Sequence, residues 1–462
     1  MHLQMPFLLL ALLEFCICVA AVFVAAYVSV DGSYLAQDAG IQSSVATAML
    51  FGLVVPVTIM VMGLYQSRIR GGVLGVFLRS VIGFACGVVI LAVLYYFFPT
   101  LQLQRGVFGL AVLIAFLLIG TIRPMYFHYL DRDILKVRVL VLGAGEKAAS
   151  IARRLRRHVD RRGFHIVSYA ALSTDPVVAV DRKSVVNTAG RSLLELAVAS
   201  DVDEIVVAAD ERRGGLPLDE LLECKLHGLD VIDLLSFFER EQGKLPLELL
   251  RPEWLIYSDR FGRGTFRDIG KRAFDLLASG LILACGWPVL LLTALAIWLE
   301  DGPDAPLLCR QVRVGFLGKP FEVLRFRSMP VDSTSGGQAR WRTEMDHGRS
   351  RVGKFIRKTR IDTLPQILNV LTGTMSLVGP RPESPQFVER LGEAIPYYRE
   401  RHAVKPGMTG WAQVCYPYDA SFNDSVQTQE FDLFYVKNHT IFLDLLILFQ
   451  AAEVVLFGRG SR

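Results

Sequence analysis

Ala273 to Leu299 reads AFDLLASGLILACGWPVLLLTALAIWL, an apolar run long enough to cross a hydrocarbon core as one helix, with Gly286-Trp287-Pro288 at its middle. Pro288 has no backbone N–H and disfavours the helical conformation in Trp287, so the run divides into two arms. Each arm has about 12 residues and a length of about 18 Å, too short to cross alone. Charge decides between a kinked crossing and a re-entrant hairpin. Lys271 and Arg272 precede the run and Arg310 and Arg313 follow it, so both flanks belong on the same side of the bilayer. The expectation is a re-entrant helix over 273–299.

Downstream, Gly353 to Glu383 reads GKFIRKTRIDTLPQILNVLTGTMSLVGPRPE and crowds a carboxylate, guanidiniums and backbone donors around one helix start. Asp362 lies just ahead of Leu364-Pro365, and proline is favoured in a first helical turn. The free N–H groups and dipole of such a helix would keep Asp362 ionised and hold a diphosphate. Gln366 and Asn369 follow at helical spacing and line the same face. Arg357, Lys358 and Arg360 supply charge before the helix, and Arg381, between Pro380 and Pro382, supplies it after. Asp362 alone would be explained as an N-cap on a basic amphipathic helix. The crowding points instead to chemistry on a phosphate ester.

Other motifs stand in order around this run: Lys271-Arg272-Ala273-Phe274-Asp275, Gln311-Val312-Arg313-Val314-Gly315, Arg325-Phe326-Arg327-Ser328-Met329, Lys405 to Val414, Asp432 to Tyr435, and Asp444. Together they resemble the bacterial sugar transferases, the polyprenyl-phosphate hexose-1-phosphate transferases that begin exopolysaccharide and O-antigen synthesis. The likeness runs from about Gly270 to the C-terminus. It implies an α-rich monotopic transferase domain that moves hexose-1-phosphate from a UDP-sugar to undecaprenyl phosphate and releases UMP. Asp362 matches the family nucleophile, which would form a phosphosugar-enzyme intermediate, and Arg357 and Arg381 match family arginines suited to bidentate phosphate contact. Substrate contacts are expected from Lys271, Arg272, Gln311, Arg313, Arg325, Arg327, Gln366, Asn369, Glu383 and Gln413. Mg²⁺ is the expected cofactor, with Asp362 as its protein ligand and diphosphate oxygens as the rest.

The sequence departs from the family pattern in places. Thr363 stands where the family usually carries Glu, Asp346-His347-Gly348 replaces the usual Asp-Pro-Arg, and Arg325 replaces a Lys. Glu383, or an acid among Asp332, Glu344 and Asp346, is the candidate to take over the missing carboxylate's role. Tyr416-Pro417-Tyr418 lies where an aromatic wall of the sugar pocket, or plain packing, would fit.

Of the 462 residues, 52% are hydrophobic, and four long apolar runs precede residue 130: Phe7 to Val28, Ala48 to Tyr65, Val73 to Phe98 and Val107 to Ile122. The first lacks a basic n-region and a small-residue cleavage site, so it is read as retained. Arg68 and Arg70 lie between the second and third runs, Asp31 and Asp38 after the first, and Arg123, Arg132, Lys136 and Arg138 at and beyond the end of the fourth. Both ends of a four-helix transmembrane bundle over 1–130 are therefore expected in the cytoplasm, in a multi-pass protein of the bacterial inner (plasma) membrane. The last apolar run, Ile441 to Phe457, carries Asp444 and Glu453 and ends near Arg459 and Arg462, which suits an interfacial helix in contact with the lipid bilayer. Seven cysteines show no paired spacing for disulfides or zinc. The net charge of +5 suits anionic headgroups and diphosphates, and no nucleic-acid motif is present. The apolar bundle admits a homodimer.

Between bundle and transferase, Val137 to Leu142 followed by Gly143-Ala144-Gly145-Glu146-Lys147-Ala148 reads as strand, glycine turn and helix. Strands at Phe164 to Leu172, Glu204 to Ala209 and Asp230 to Leu234 alternate with helices at Ser192 to Ala199 and Leu218 to His227, giving a Rossmann-like α/β domain over 137–245. A linker at 246–266 and the transferase domain at 267–462 complete the plan. The glycine turn by itself does not establish a cofactor, and the nearest ribose-binding acid, Asp175, sits in an ordinary turn position. The domain is read as structural or regulatory. Two other functions compete: a membrane-tethered NAD-dependent nucleotide-sugar oxidoreductase or dehydratase, for which the middle domain lacks a Tyr-x-x-x-Lys pair, and a non-catalytic platform for polysaccharide export.

Overall fold

The computed structural model describes residues 5–29, 38–61, 64, 72–130, 136–155, 161, 163–172, 178–186, 191–210, 216–253, 265–301, 306–327, 351–416 and 422–457. Asp31, Tyr65, Arg68, Arg70, Arg132, Asp175, Ser328, Met329, Asp332, Glu344, Asp346, His347, Gly348, Pro417, Tyr418, Arg459 and Arg462, invoked above, lie outside these residues. The chain divides into two compact units, Met1–Gln242 and Gly243–Arg462.

The first unit begins with helices α1 (Met5–Ser29), α2 (Asp38–Val61), α3 (Gly72–Phe97) and α4 (Arg105–Leu130), α1 packing on α2 and α4, and α3 on the same two. Of these, α1, α3 and α4 are long and apolar enough to cross a membrane, whereas α2 contributes a shorter apolar stretch, Val45–Met60. Arg123 carries polar contacts across this apolar packing, its Nη1 donating to Ser80 Oγ on α3 at 3.4 Å. Arg123 Nε and Nη2 donate to Glu14 Oε1 and Oε2 at 2.8 and 3.0 Å, with both side chains buried. Charges in such surroundings persist only when paired, so this bidentate contact fixes α4 against α1.

The rest of this unit is a five-stranded parallel sheet in the order β3 (Val185–Val186), β2 (Phe164–Ala170), β1 (Val137–Leu142), β4 (Glu204–Val207), β5 (Asp230–Asp233). Parallel strands need crossovers, supplied in part by α5 (Glu146–Arg154), α6 (Leu193–Ala199) and α7 (Leu218–Leu226); α8 (Leu234–Gln242) closes the unit. Ser192 starts α6 with a capping box: its hydroxyl accepts from Glu195 N, and Glu195 Oε2 accepts from Ser192 N. Leu140, Leu142, Ile205 and Val207 pack with Leu193, Ala197, Leu221 and Cys224, which is why β1 and β4 read as near-continuous apolar runs. The strand order reverses between β1 and β4, the place where such sheets offer a ligand crevice.

The second unit opens on residues laced to its own core. Trp411 Nε1 donates to Gly243 O at 2.7 Å, Leu245 N to Glu430 O at 3.0 Å, and Lys244 Nζ to Glu430 Oε2 at 2.7 Å. The division between units thus falls at 242/243, ahead of the residues that the sequence suggests as a linker. Then comes α9 (Thr265–Asp301), a single helical element of 37 residues with Pro288 inside it. An antiparallel hairpin follows, β6 (Leu308–Val314) and β7 (Pro320–Phe326), whose turn uses positive φ at Leu317 and Gly318.

Helices α10 (Arg351–Lys358), α11 (Gln366–Thr372) and α12 (Pro385–Ala394) follow, with β8 (Ser376–Val378) between the last two; β8 packs on α9 and α11 and pairs in parallel with β9 (Gly407–Thr409). The chain ends in α13 (Trp411–Cys415), α14 (Phe422–Asn438) and α15 (Ile441–Phe457). Val370, Met375, Leu377, Trp411, Phe431, Tyr435, Leu446 and Ile447 form the core of this unit. One face of α15 is therefore spent on that core, with Asp444 buried in it.

Candidate active site

Asp362 does not cap α11. It lies one turn earlier, in a 3₁₀ turn at Ile361–Thr363, and α11 starts at Gln366 behind Pro365 with no side-chain cap. Two local features impose this. Arg360 adopts a left-handed conformation (φ 57°), and the Thr363 hydroxyl donates to the Arg360 carbonyl at 2.8 Å, winding the chain tightly around Asp362. The sequence argument that a helix N-terminus keeps this carboxylate charged is thus corrected: α11 is short and begins too late.

What faces Asp362 instead is cationic. Its side chain is buried, and burial raises its pKa above the ordinary carboxylate value, against the pull of Arg325, Arg357, Arg360 and Arg381. Arg325 is pushed down to about 10, first by burial and then by Arg381 and Arg313, with Asp362 opposing. Burial with several guanidiniums nearby makes this a setting in which an anion would be welcome. The Arg325 Nε is buried with no hydrogen-bond partner among the described residues, a second sign of an unfilled anion site. Gln311 Oε1 accepts from Arg313 Nη2 at 3.0 Å, and Arg313 Nη1 lies 3.7 Å from Glu383 Oε2. Of the expected residues, Asp362, Arg357, Arg381, Arg325 and Arg313 are therefore gathered, with Gln311 and Glu383 attached through Arg313. Glu383 acts on Tyr398, Arg401 and Asp432, while the charges acting on Asp362 are those of arginines.

Other expected contacts have different partners. Lys271 Nζ donates to Asp444 Oδ2 at 2.7 Å, Tyr435 Oη at 3.1 Å and Val378 O at 3.1 Å. Arg272 Nη1 and Nη2 donate to Val370 O and Leu371 O at 2.6 and 2.7 Å, satisfying terminal carbonyls of α11. Asn369 is bonded along β7, accepting from Leu324 N at 3.0 Å and donating to Glu322 O at 2.8 Å. In these positions Lys271 ties α9 to β8, α14 and α15, Arg272 ties α9 to α11, and Asn369 ties α11 to β7. Gln366 and Arg327 are buried, and Gln413 is half-buried in α13.

Sequence reasoning missed Arg401, Tyr398 and Asp210. Arg401, buried in the 3₁₀ segment Tyr398–Ala403, binds Asp432 Oδ2 and Tyr398 Oη, each at 2.6 Å. Burial pushes Asp432 up to about 6, with Arg401 opposing.

Asp210 concerns the glycine turn of the α/β domain. Its Oδ2 and Oδ1 accept from Glu146 N and Lys147 N, both at 2.9 Å, so the start of α5 already carries a carboxylate. A Cβ on Gly145 would lie 1.9 Å from Asp210 Oδ2, and Gly143 (φ +121°) lets the chain pass Ala208. Lys147 Nζ binds Ala209 O at 2.9 Å and Asp210 O at 2.5 Å. In this structure the turn's glycines accommodate the protein's own side chain, where a dinucleotide fold would place pyrophosphate.

A buried carboxylate within an arginine cluster lies on a unit that also carries a helix, α9, long and apolar enough to cross a membrane, an arrangement suited to an anionic ligand such as a phosphate. The family model described as bacterial sugar transferase matches residues 266–458. The chain is 30% identical over 380 residues to the UDP-glucose:undecaprenyl-phosphate glucose-1-phosphate transferase of Xanthomonas campestris pv. campestris, covering 77% of this chain and 75% of that one. The chain belongs to the bacterial sugar transferase family. It is 43% identical over 192 residues to the UDP-N-acetylgalactosamine-undecaprenyl-phosphate N-acetylgalactosaminephosphotransferase of Aeromonas hydrophila, covering 42% of this chain and 45% of the relative. Similarity to the undecaprenyl-phosphate glucose phosphotransferase of Komagataeibacter xylinus is 32% over 335 residues, covering 70% and 60%. The match thus spans about half the length of these last two relatives.

Proposed function

We propose that this protein transfers a hexose-1-phosphate from a UDP-sugar to undecaprenyl phosphate, as the first membrane step of exopolysaccharide synthesis. The observation that carries the proposal is Asp362, buried among Arg325, Arg357, Arg360 and Arg381. An Asp362 oxygen attacks the sugar-linked phosphorus, the bond to the bridging oxygen breaks, and UMP leaves with that oxygen. An oxygen of the lipid phosphate then attacks the same phosphorus and releases the carboxylate, so one diphosphate is broken and another formed. The arginines meet the charge that develops on the phosphoryl oxygens.

Mg²⁺ fits this site as an ion carried largely by substrate. Among the described residues no group of three or more His, Cys, Asp or Glu is placed to hold a metal, so Asp362 and diphosphate oxygens would hold it, and it would supply charge neutralisation there. The oxidoreductase alternative depends on a glycine turn that Asp210 already fills. An export platform without chemistry would have no use for a buried carboxylate among guanidiniums.

The same reading keeps α9 re-entrant and the catalytic unit cytoplasmic. Arg272, near one end of α9, is bonded to Val370 and Leu371 on α11, while Leu290, Ala294 and Ile297 pack with Phe326, Ile356 and Ile361. Leu324, two positions before Phe326, hydrogen-bonds to Asn369 beside Val370. A straight helix would separate residues 272 and 297 by about 37 Å. Contacts from both arms to one small patch support a bend within the helix at Pro288. The α/β domain, with its Rossmann-like strand order, serves as a spacer between bundle and transferase in this reading.

The deciding experiment incubates the purified protein with undecaprenyl phosphate, Mg²⁺ and each of UDP-glucose, UDP-galactose and UDP-N-acetylgalactosamine. UMP release with one donor, together with a radiolabelled sugar-phosphate trapped on the chain when the lipid is omitted, is the expected result. Absence of UMP with every donor would refute the assignment.

A further inference from the structure

The strap Gly379–Glu383 carries Arg381 into the Asp362 site, and its sequence, Gly-Pro-Arg-Pro-Glu, leaves it short of donors because neither proline has an N–H. It is held mainly by its carbonyls. Pro380 O accepts from Gly407 N at 3.0 Å, and Glu383 O from Val314 N at 2.9 Å. Between them, Arg381 O accepts from Arg401 Nη2 at 3.2 Å. The same guanidinium binds Asp432 and Tyr398, and its carbon lies 5.0 Å from the Tyr398 ring centroid.

A buried Arg–Asp pair invites a purely structural explanation. A pair serving only to fill the core would not need Arg401 Nη2, already bound to Asp432, to reach the backbone carbonyl of a functional arginine as well. Arg401 thus reaches the anion site through the Arg381 peptide. We infer that Arg401, held by Asp432 and Tyr398, is a positioning residue that sets Arg381 for a diphosphate. This inference rests on the reading of the Asp362 site given above. Only a planar fork can serve Asp432, Tyr398 and the Arg381 carbonyl together; lysine keeps the charge and loses that geometry.

The test is a double-mutant cycle on the full chain in detergent, with inorganic diphosphate as the probe and calorimetric affinity as the readout. Arg381→Ala, Arg401→Lys and the double variant are compared, with thermal midpoints recorded for each. Arg401→Lys is expected to weaken diphosphate binding about tenfold, the scale of one charge-assisted hydrogen bond, and the double variant to bind no more weakly than Arg381→Ala alone. A residue that only stabilises the fold would lower the midpoint and leave affinity unchanged, or add its loss in full to that of Arg381→Ala, and either result would overturn the inference. If Arg401→Lys fails to fold, Asp432→Asn, which frees one side of the fork while keeping its shape, is read the same way. Wild type that binds diphosphate with the expected coupling but releases no UMP would sink the transferase reading alone.

Discussion

Asp362→Asn separates the two roles that a buried carboxylate can play beside a diphosphate. The amide keeps the shape within the cluster of Arg325, Arg357, Arg360 and Arg381 and removes one negative charge. Transfer should disappear, because an amide oxygen cannot form and release the phosphosugar adduct. Diphosphate binding should move the other way. A unit charge about 5 Å from a phosphate charge, at an effective dielectric constant of about 20, repels it by about 3 kcal/mol. With the surrounding guanidiniums and solvent screening part of this, a gain in affinity of about tenfold is expected for the variant without metal. The gain should shrink as pH falls through the raised pKa of Asp362, since the wild type then loses its own charge. Titration calorimetry with inorganic diphosphate, with and without Mg²⁺, measures the first quantity, and UMP release measures the second. Weaker metal-free binding by the variant, or turnover within about tenfold of wild type, would show the reasoning to be wrong.

His402 and His439 are pushed down from 6.5 to about 4, chiefly by burial, so they stay neutral in the folded protein where unfolded imidazoles take up protons. The stability they contribute is complete above pH 6.5 and is lost as pH falls toward 4, by up to about 1.4 kcal/mol per pH unit for each. Thermal midpoints across that range should decline, and Gln at both positions should flatten the decline. Glu14→Gln leaves Arg123 charged and buried, and should cost about 3–5 kcal/mol, whereas Glu14→Leu with Arg123→Met should recover most of it in detergent melts. Equal loss in single and double variants would refute the pairing argument. Asp210→Ala removes both acceptors at the start of α5 and should cost about 1–2 kcal/mol, with faster amide exchange over residues 145–150 as the local readout. Unchanged exchange there would mean the carboxylate does not hold the turn.

The α/β strands were legible because β1 and β4 are buried on both faces and must be continuously apolar, and the capping box at Ser192 marks α6 in four residues. The gathering of arginines around Asp362 was legible from its motif, but its backbone was not. A left-handed Arg360 carries no sequence signal in a non-glycine residue, so the expected helix start became a 3₁₀ turn. Lys271, Arg272 and Asn369 were read as ligand contacts because a motif shows that a polar side chain matters without showing what it touches. Arg401 gave one usable hint, a cation in a segment followed by the Asp432 motif, but only the fold reveals that the two meet. Asp210 lies 64 positions from Glu146, and only the strand order that places β4 beside β1 brings them together.

The carboxylate at the start of α5 also constrains how this chain can diverge. Tethered on a neighbouring strand, Asp210 is present at that turn at an effective concentration of about the millimolar range or above, which a free nucleotide must outcompete to enter. Gly145 cannot acquire a side chain while Asp210 remains, since the new carbon would sit 1.9 Å from its oxygen. Loss of Asp210 alone would leave an exposed, anion-seeking turn. Lineages descended from this sequence should inherit the two residues as a pair or exchange them as a pair, and a descendant that has lost only the acid is where a nucleotide-responsive version of this protein would arise.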